Sequence, residues 1–512
     1  MFPDAEDVEV PVPEESGDNA LPSDDKTEKS KRELQRIPPP VYNSFPGTSA
    51  PGFGAAGTLN LGPPVIDEPY FAPAGNVTNT NITRDRNQDA ETAIISINIW
   101  GGNHIITAFY KWINKKNMFI YTRTSDDFTS RTRRMPLPSN YDQFSFDPYL
   151  AVNPYNSGVF PKTVYLVGEG RENLDSQGKR IRQAILGWRS RDGGKTWQGP
   201  AIIATGNTTK LDKPHIAVSW HPGTRGWIYV GYRDNAGKLV VRRSTNGGNS
   251  FSKPYIITRK NAPHSNGLQL MVSPRTGYVY AVWLDSRADR IFWAYSTNRG
   301  QTWTTPTVFP SARTPARNLL LGAVKHVARA PSLPIARLNW AANNGRGRIS
   351  VVWHECSSKP KNDADNDPLG IPDCMDPGQH TDVYYASAWL RGGSTRKIRI
   401  NDNRVRDQFM PALDFDARGN VLVTFYDRRL DSNNINYNLY RAWIDQNGRP
   451  IKPNQRVSNF DSTPNSNWPR PIFIGDYHET WMTTVNGRDT WHSSWTGENR
   501  NNADIFISTI HP

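Results

Sequence analysis

Three segments of this chain carry one and the same turn: Ser190-Arg-Asp-Gly-Gly-Lys-Thr-Trp197, Ser244-Thr-Asn-Gly-Gly-Asn-Ser-Phe251 and Ser296-Thr-Asn-Arg-Gly-Gln-Thr-Trp303, spaced 54 and 52 residues apart. Recurrence at such a period means stacked copies of one supersecondary unit. The chemistry of the turn is readable. Ser190, Ser244 and Ser296, with Asp192, Asn246 and Asn298, can bond the turn backbone; Gly194, Gly248 and Gly300 tolerate positive φ; and Trp197, Phe251 and Trp303 can tuck beneath as plugs.

The flanking sequence repeats as well. Asp212-Lys-Pro-His-Ile-Ala-Val, Gly226-Trp-Ile-Tyr-Val-Gly-Tyr, Leu239-Val-Val-Arg-Arg-Ser and Pro254-Tyr-Ile-Ile are four short apolar runs. The next unit matches them with Gly267-Leu-Gln-Leu-Met-Val, Tyr278-Val-Tyr-Ala-Val-Trp, Ile291-Phe-Trp-Ala-Tyr-Ser and Pro306-Thr-Val-Phe. Four short strands in each unit of about fifty residues define a propeller blade, a small twisted sheet that buries its faces only against its neighbours. The spacing predicts an all-β chain forming a single β-propeller, with units at 88–140, 141–205, 206–260, 261–312, 323–402, 403–459 and a partial one at 468–512. Seven blades follow if a strand near Thr58-Leu-Asn-Leu61 completes the last; otherwise there are six. The 17 Trp and 20 Tyr, spread among 39 Gly and 40 Pro, suit many strands joined by turns.

These turns, together with Val282-Trp-Leu-Asp-Ser-Arg287, Thr424-Phe-Tyr-Asp-Arg-Arg429 and Phe473-Ile-Gly-Asp-Tyr477, resemble the sialidase-like (BNR, or Asp-box, repeat) propeller superfamily over nearly everything after residue 90. The resemblance implies a propeller fold and a glycan as ligand. Members include hydrolases, lyases and proteins without a catalytic role, so activity must be argued from a site. A sialidase would need three arginines for the substrate carboxylate, a Tyr nucleophile with a Glu beside it, and an Asp acid/base. Arg36-Ile-Pro38 matches the first arginine element in letters, but Pro39 and Pro40 follow it where a strand should.

Asp476, Tyr477 and Glu479 are the candidate catalytic set, the densest group of ionisable residues beside a strand. A Tyr within reach of a Glu, or a carboxylate pair, could serve glycosidic chemistry; a packing role is the alternative. Arg233 with Asp234, Asp285 with Arg287, and Asp427 with Arg429 end strands as charge pairs. They read either as clamps for an anionic sugar or as ion pairs that hold the turns. Asp363, Asp365, Asp367 and Asp373 resemble an Asp-x-Asp-x-Asp calcium loop, although Pro368 and Leu369 stand where Gly is expected. Calcium is therefore a possible ligand and no cofactor is required; an acidic solvated loop is the other reading.

Residues 1–57 form an acidic, then Pro/Gly-rich stretch with too few apolar residues for a core, expected to be a disordered tail, and residues 58–512 the propeller, with an insertion at 356–380. The formal charge of +13 favours an anionic partner. A glycan or another anionic polymer fits, whereas no specific nucleic-acid motif is present. No apolar run reaches the roughly 18 residues that span a bilayer, and no secretory signal is visible. An extracellular or particle-associated protein is expected, with a cytoplasmic one as the alternative; glycan recognition is the expected function, a glycoside hydrolase or lyase on an anionic sugar one alternative, and an attachment protein docked through residues 1–55 another. Cys356 and Cys374, the two cysteines, either pair across the base of the insertion or remain free thiols.

Overall fold

The computed structural model describes residues 76–511 apart from several segments, the longest being 173–181, 360–373 and 465–472. The described residues contain strands and short 3-10 turns, arranged as seven four-stranded antiparallel units. Six span 88–134, 144–207, 212–256, 265–309, 335–399 and 408–456; we number them blades 1 to 6. Blades 1 and 2 share one parallel bridge, Met118 to Phe144. Blade 7 takes three strands from 479–510 and its fourth from Val77–Asn81, which pairs with Asn502–Ile510 in the register Val77 to Ile510. The strand that completes the last blade is thus Val77–Asn81; the Thr58–Leu61 segment expected there lies outside the described residues.

The first strand of each blade touches the first strands of the blades on either side, and that of blade 7 touches that of blade 1, so the ring is closed. Each of the seven blade interfaces carries an apolar cluster among the described residues, and that between blades 1 and 2 carries two. Ala93, Ile106 and Leu186 sit between blades 1 and 2, Tyr165, Ile203 and Val230 between 2 and 3, and so on to Ile94, Phe109 and Ile505 between 7 and 1. No blade could bury its own faces alone, which is why the pattern must repeat until it closes.

The three Ser-x-Asp/Asn-x-Gly turns are superimposable in their bonding. Gly194, Gly248 and Gly300 donate N–H to Ser190, Ser244 and Ser296 Oγ at 2.8–2.9 Å, each at φ between 81 and 87°. The serines donate in turn to Asp192, Asn246 and Asn298 Oδ1. Trp197, Phe251 and Trp303 each pack on the cluster between their own blade and the one before. In blades 2 and 3 the residue before the serine is Arg. Arg189 Nη1 donates to Gly247 O at 3.0 Å and Arg243 Nη1 to Arg299 O at 3.0 Å, so each bonds the turn of the next blade.

Candidate functional site at the ring axis

The innermost strands share a distortion that places charge on the axis. Pairing slips across Ala90/Ala93, Phe146/Tyr149, Asp212/His215, Asn266/Gln269 and Phe409/Ala412. Inside each bulge one residue has positive φ: Glu91 at 50°, Asp147 at 52°, Lys213 at 48°, Gly267 at 63° and Met410 at 48°. A side-chain-bearing residue in this region costs on the order of 1 kcal/mol. Bulges re-aim side chains and break ladders, so a proline is tolerated right after, as at Pro148, Pro214 and Pro411. In blade 7 the left-handed residue is Gly475, at φ 98°. A Cβ there would lie 2.7 Å from Glu91 N, so only glycine lets Asp476 come this close to blade 1.

Lys213 Nζ is the hub. It lies 3.1 Å from Glu91 Oε1, 2.5 Å from Asp147 Oδ1 and 2.7 Å from Asp476 Oδ2, joining blades 1, 2, 3 and 7. Burial pulls the Lys213 ammonium pKa down, but Asp147, Asp476 and Glu91 push it well above its usual value. Burial likewise opposes ionisation of Asp476, yet Arg329 and Lys213 hold its pKa low. For Glu91, burial and then the Asp147 charge win, and its carboxyl is pushed well up. Glu169 and Asp212 adjoin Asp147 and are also raised, by burial first.

A pocket opens beside this hub, lined by Tyr149, Lys213, His215, Gln269, Ile335 and Tyr477. His215 is buried 3.9 Å from the Tyr149 ring, centroid to centroid. Its Nδ1 accepts from Leu270 N at 3.2 Å, which leaves the proton on Nε2; Nε2 makes no bond of good geometry among the described residues, Gln269 being its polar neighbour. Burial, then the nearby Arg337 charge, keep the ring neutral. Tyr149 Oη donates to Gln269 Oε1 and accepts from Arg337 Nη1, both at 3.2 Å. Arg337 Nη2 also meets Glu479 Oε1 at 2.6 Å. Burial pushes the Tyr149 phenol up, against the Arg337 charge. The wall is therefore rich in donors, with two cations close by.

The structure brings Asp476, Tyr477 and Glu479 to the axis together, though with different neighbours. Tyr477 Oη donates to Pro148 O at 2.9 Å, while Glu479 accepts from Ile94 N at 3.0 Å and pairs with Arg337; the tyrosine that Glu479 adjoins is Tyr149. The strand-end pairs lie one strand further out, at the second strands of their blades. Asp234 closes its own turn through Ala236 N and Lys238 N, and Asp285 accepts from Ala288 N, with Arg287 exposed. Asp427 is fully buried under Arg429, at 2.7 Å. Asp363, Asp365, Asp367 and Asp373 lie outside the described residues. Cys356 and Cys374 form a disulfide, with Cα atoms 5.8 Å apart. Sequence reasoning missed Glu91, Asp147, Lys213, Tyr149, His215 and Arg337. The usable signal was Asp147-Pro-Tyr149 and Lys213-Pro-His215 in register at the starts of two inner strands.

No helix of the described residues is long and apolar enough to cross a membrane. No protein-family model and no characterised protein sequence matches the chain. Among solved structures, an intramolecular trans-sialidase from Ruminococcus gnavus is similar over 75% of this chain and 98% of its own, at 10% identity and TM-score 0.46. A protein of unknown function from Dyadobacter fermentans is similar over 86% and 100%, at 13% identity and TM-score 0.44. An α-L-arabinofuranosidase from Fusarium graminearum is similar over 85% and 98%, at 13% identity and TM-score 0.42.

Proposed function

We propose that the protein takes an acidic sugar of a glycan into the axial pocket. The observation that carries this reading is a pocket lined by His215 and Lys213, with Arg337 behind Tyr149, where the buried His215 Nε2–H has no acceptor at hydrogen-bonding distance and only Gln269 near it. A buried donor left unpaired costs roughly 1–3 kcal/mol, which a ligand oxygen would recover. A carboxylate fits best, because neighbouring cations strengthen bonds to an anion and the overall charge of +13 draws anionic polymers in. Turnover is a second reading, supported by the Tyr149 phenol lying against Glu479 and Arg337. In that reading a substrate anion draws Arg337 off Glu479, and the freed carboxylate takes the phenol proton as Tyr149 Oη attacks.

The test is binding of sialylated, uronic-acid and sulfated oligosaccharides by calorimetry, with mass spectrometry for released sugars. His215→Phe keeps a ring against Tyr149 and removes the donor, so affinity should fall by about tenfold, the worth of one charge-assisted bond; Leu270 N loses its acceptor as well, so binding is compared at a temperature where circular dichroism shows the variant folded. Equal binding by the variant sinks the pocket reading. Product release that is lost in Tyr149→Phe selects hydrolysis; binding without release selects recognition.

A further inference from the structure

Between blades 2 and 3 the packing leaves a cleft of about 220 Å³, towards the end at which the strand Arg182–Ser190 runs into its turn. Its walls are Val167, Ile203, Ile216, Ile228, Val230 and Phe251, and at its outer end stand the half-buried Arg189 and the exposed Gln198 and Asn249. We propose that this cleft binds a small amphiphilic acid, with the apolar body held between the blades and the carboxylate on Arg189. The site is separate from the axial pocket and independent of whether that pocket takes a sugar.

The repeat explains why the cleft opens here. Counting back three residues from the turn serines Ser190, Ser244 and Ser296 gives Gly187, Val241 and Trp293. Val241 packs into the interface between blades 3 and 4, and Trp293 into that between blades 4 and 5. Gly187 is the cross-strand partner of Val167, which belongs to the interface between blades 2 and 3, so at this interface the corresponding side chain is missing. The plug is smaller too, Phe251 closing this interface where Trp303 closes the next. An apolar void is destabilising when empty, and this one exceeds the roughly 150 Å³ that admits a benzene molecule. A phenyl ring or a short alkyl chain therefore fits.

The outer end selects the head group. Arg189 is held through Nε, which donates to Gln198 Oε1 at 3.3 Å, and through Nη1, which donates to Gly247 O at 3.0 Å and Asn249 Oδ1 at 2.7 Å. All three acceptors are neutral and Nη2 makes no bond among the described residues, so the guanidinium is fixed in place with its charge uncancelled. The one carboxylate of the adjoining turn, Asp192, is bonded to Ser190 and Thr196. A second cation lies close. Burial pushes up the phenol of Tyr165, which also lines the cleft, against a bond with Thr163 and the charges of Arg189 and Arg191. A carboxylate here gains a charge-assisted bond that a neutral head does not.

The experiment is calorimetric titration of the full chain with octanoate, with octanamide, which has the chain without the charge, and with acetate, which has the charge without the chain. We expect octanoate to bind with a Kd of about 1 mM or tighter, octanamide more weakly, and acetate not at all. Gly187→Val restores the side chain that blade 3 carries. Its Cβ would meet Ile203 Cδ1 at 2.9 Å and push that flexible end into the cleft, so octanoate binding should be lost. Phe251→Trp, which restores the bulk of Trp303, is the second filling variant, and circular dichroism checks that each is folded. Arg189→Gln should weaken octanoate about tenfold and leave octanamide unchanged, a split that a merely structural role of Arg189 would not produce. No octanoate binding by the unsubstituted chain up to about 10 mM overturns the proposal, as does binding that survives in both filling variants. Equal losses of octanoate and octanamide in Arg189→Gln overturn the assignment of the head group.

Discussion

Lys213 Nζ stands 2.7 Å from Asp476 Oδ2, and this one contact ties the third blade to the seventh across the ring. Removing the ammonium would leave Glu91, Asp147 and Asp476 facing one another in a buried space. Breaking a buried ion pair by deleting one partner costs about 3–5 kcal/mol, so Lys213→Met should lower the urea-unfolding free energy by that order. A loss under about 1 kcal/mol would mean that proton sharing among the carboxyls, and not the lysine, holds the axis.

The turns contain their own control experiment. Asp192 in blade 2 makes the bonds that Asn246 and Asn298 make in blades 3 and 4, accepting from Thr196 N at 2.9 Å where Asn298 accepts from Thr302 N at 2.9 Å. Asp192→Asn should therefore change stability by less than about 0.5 kcal/mol, while Asp192→Ala, which frees Thr196 N and Ser190 Oγ, should cost about 1–2 kcal/mol. Although partial burial opposes it, the bonds from Thr196 and Ser190 hold the Asp192 carboxyl below its usual range. Its share of stability is present above the unfolded value near 3.9 and fades as pH falls below it. Equal losses in the two variants would make the charge, not the bond pattern, decisive.

Acid should unfold the ring through histidines that are buried neutral. Burial brings His354 down to about 4, and burial with the nearby His511 charge brings His492 down to about 4. The unfolded chain, with His near 6.5, binds more protons in the window between these values, so stability must fall as pH drops from about 6.5 towards 4. A shift of this size is worth on the order of 3 kcal/mol per group. His354→Gln should lower stability at pH 7, where Met410 N and Ala330 O lose their partner, yet flatten the decline below pH 6.5. An unchanged slope would place the acid sensitivity elsewhere.

The disulfide closes a loop of 18 residues between the second and third strands of blade 5. Loop-closure entropy for a ring of that size corresponds to about 3 kcal/mol. Reduction, or Cys356→Ser with Cys374→Ser, should lower the unfolding free energy by about that much and leave the far-ultraviolet spectrum unchanged. Stability equal to that of the oxidised protein would show that the insertion is already constrained in the unfolded chain.

The blades were legible in the sequence because each repeats one pattern of apolar alternation and turn chemistry, and every planned unit holds one. The closing strand was not. Val77-Thr-Asn-Thr-Asn81 lies on an edge, half-buried at most, so it carries no apolar alternation to read. The dense Asp476–Glu479 stretch was visible because its charges are adjacent. Glu91, Asp147 and Lys213 were not, because they lie in three different strands, far apart in sequence, and meet only after all three inner strands bulge. Backbone conformation there overrides the strict alternation from which facing is normally inferred.

The pairing of Val77–Asn81 with Asn502–Ile510 also orders events in time. Blades 1 to 6 are hairpins of consecutive strands, able to form as each leaves the ribosome. The earliest-made strand of the described chain must wait for the last, across a separation of more than four hundred residues, and contacts so distant in sequence form slowly. A nascent ring therefore stays open at one interface until Asn502–Ile510 has been made, and the seal joins the first described strand to the last.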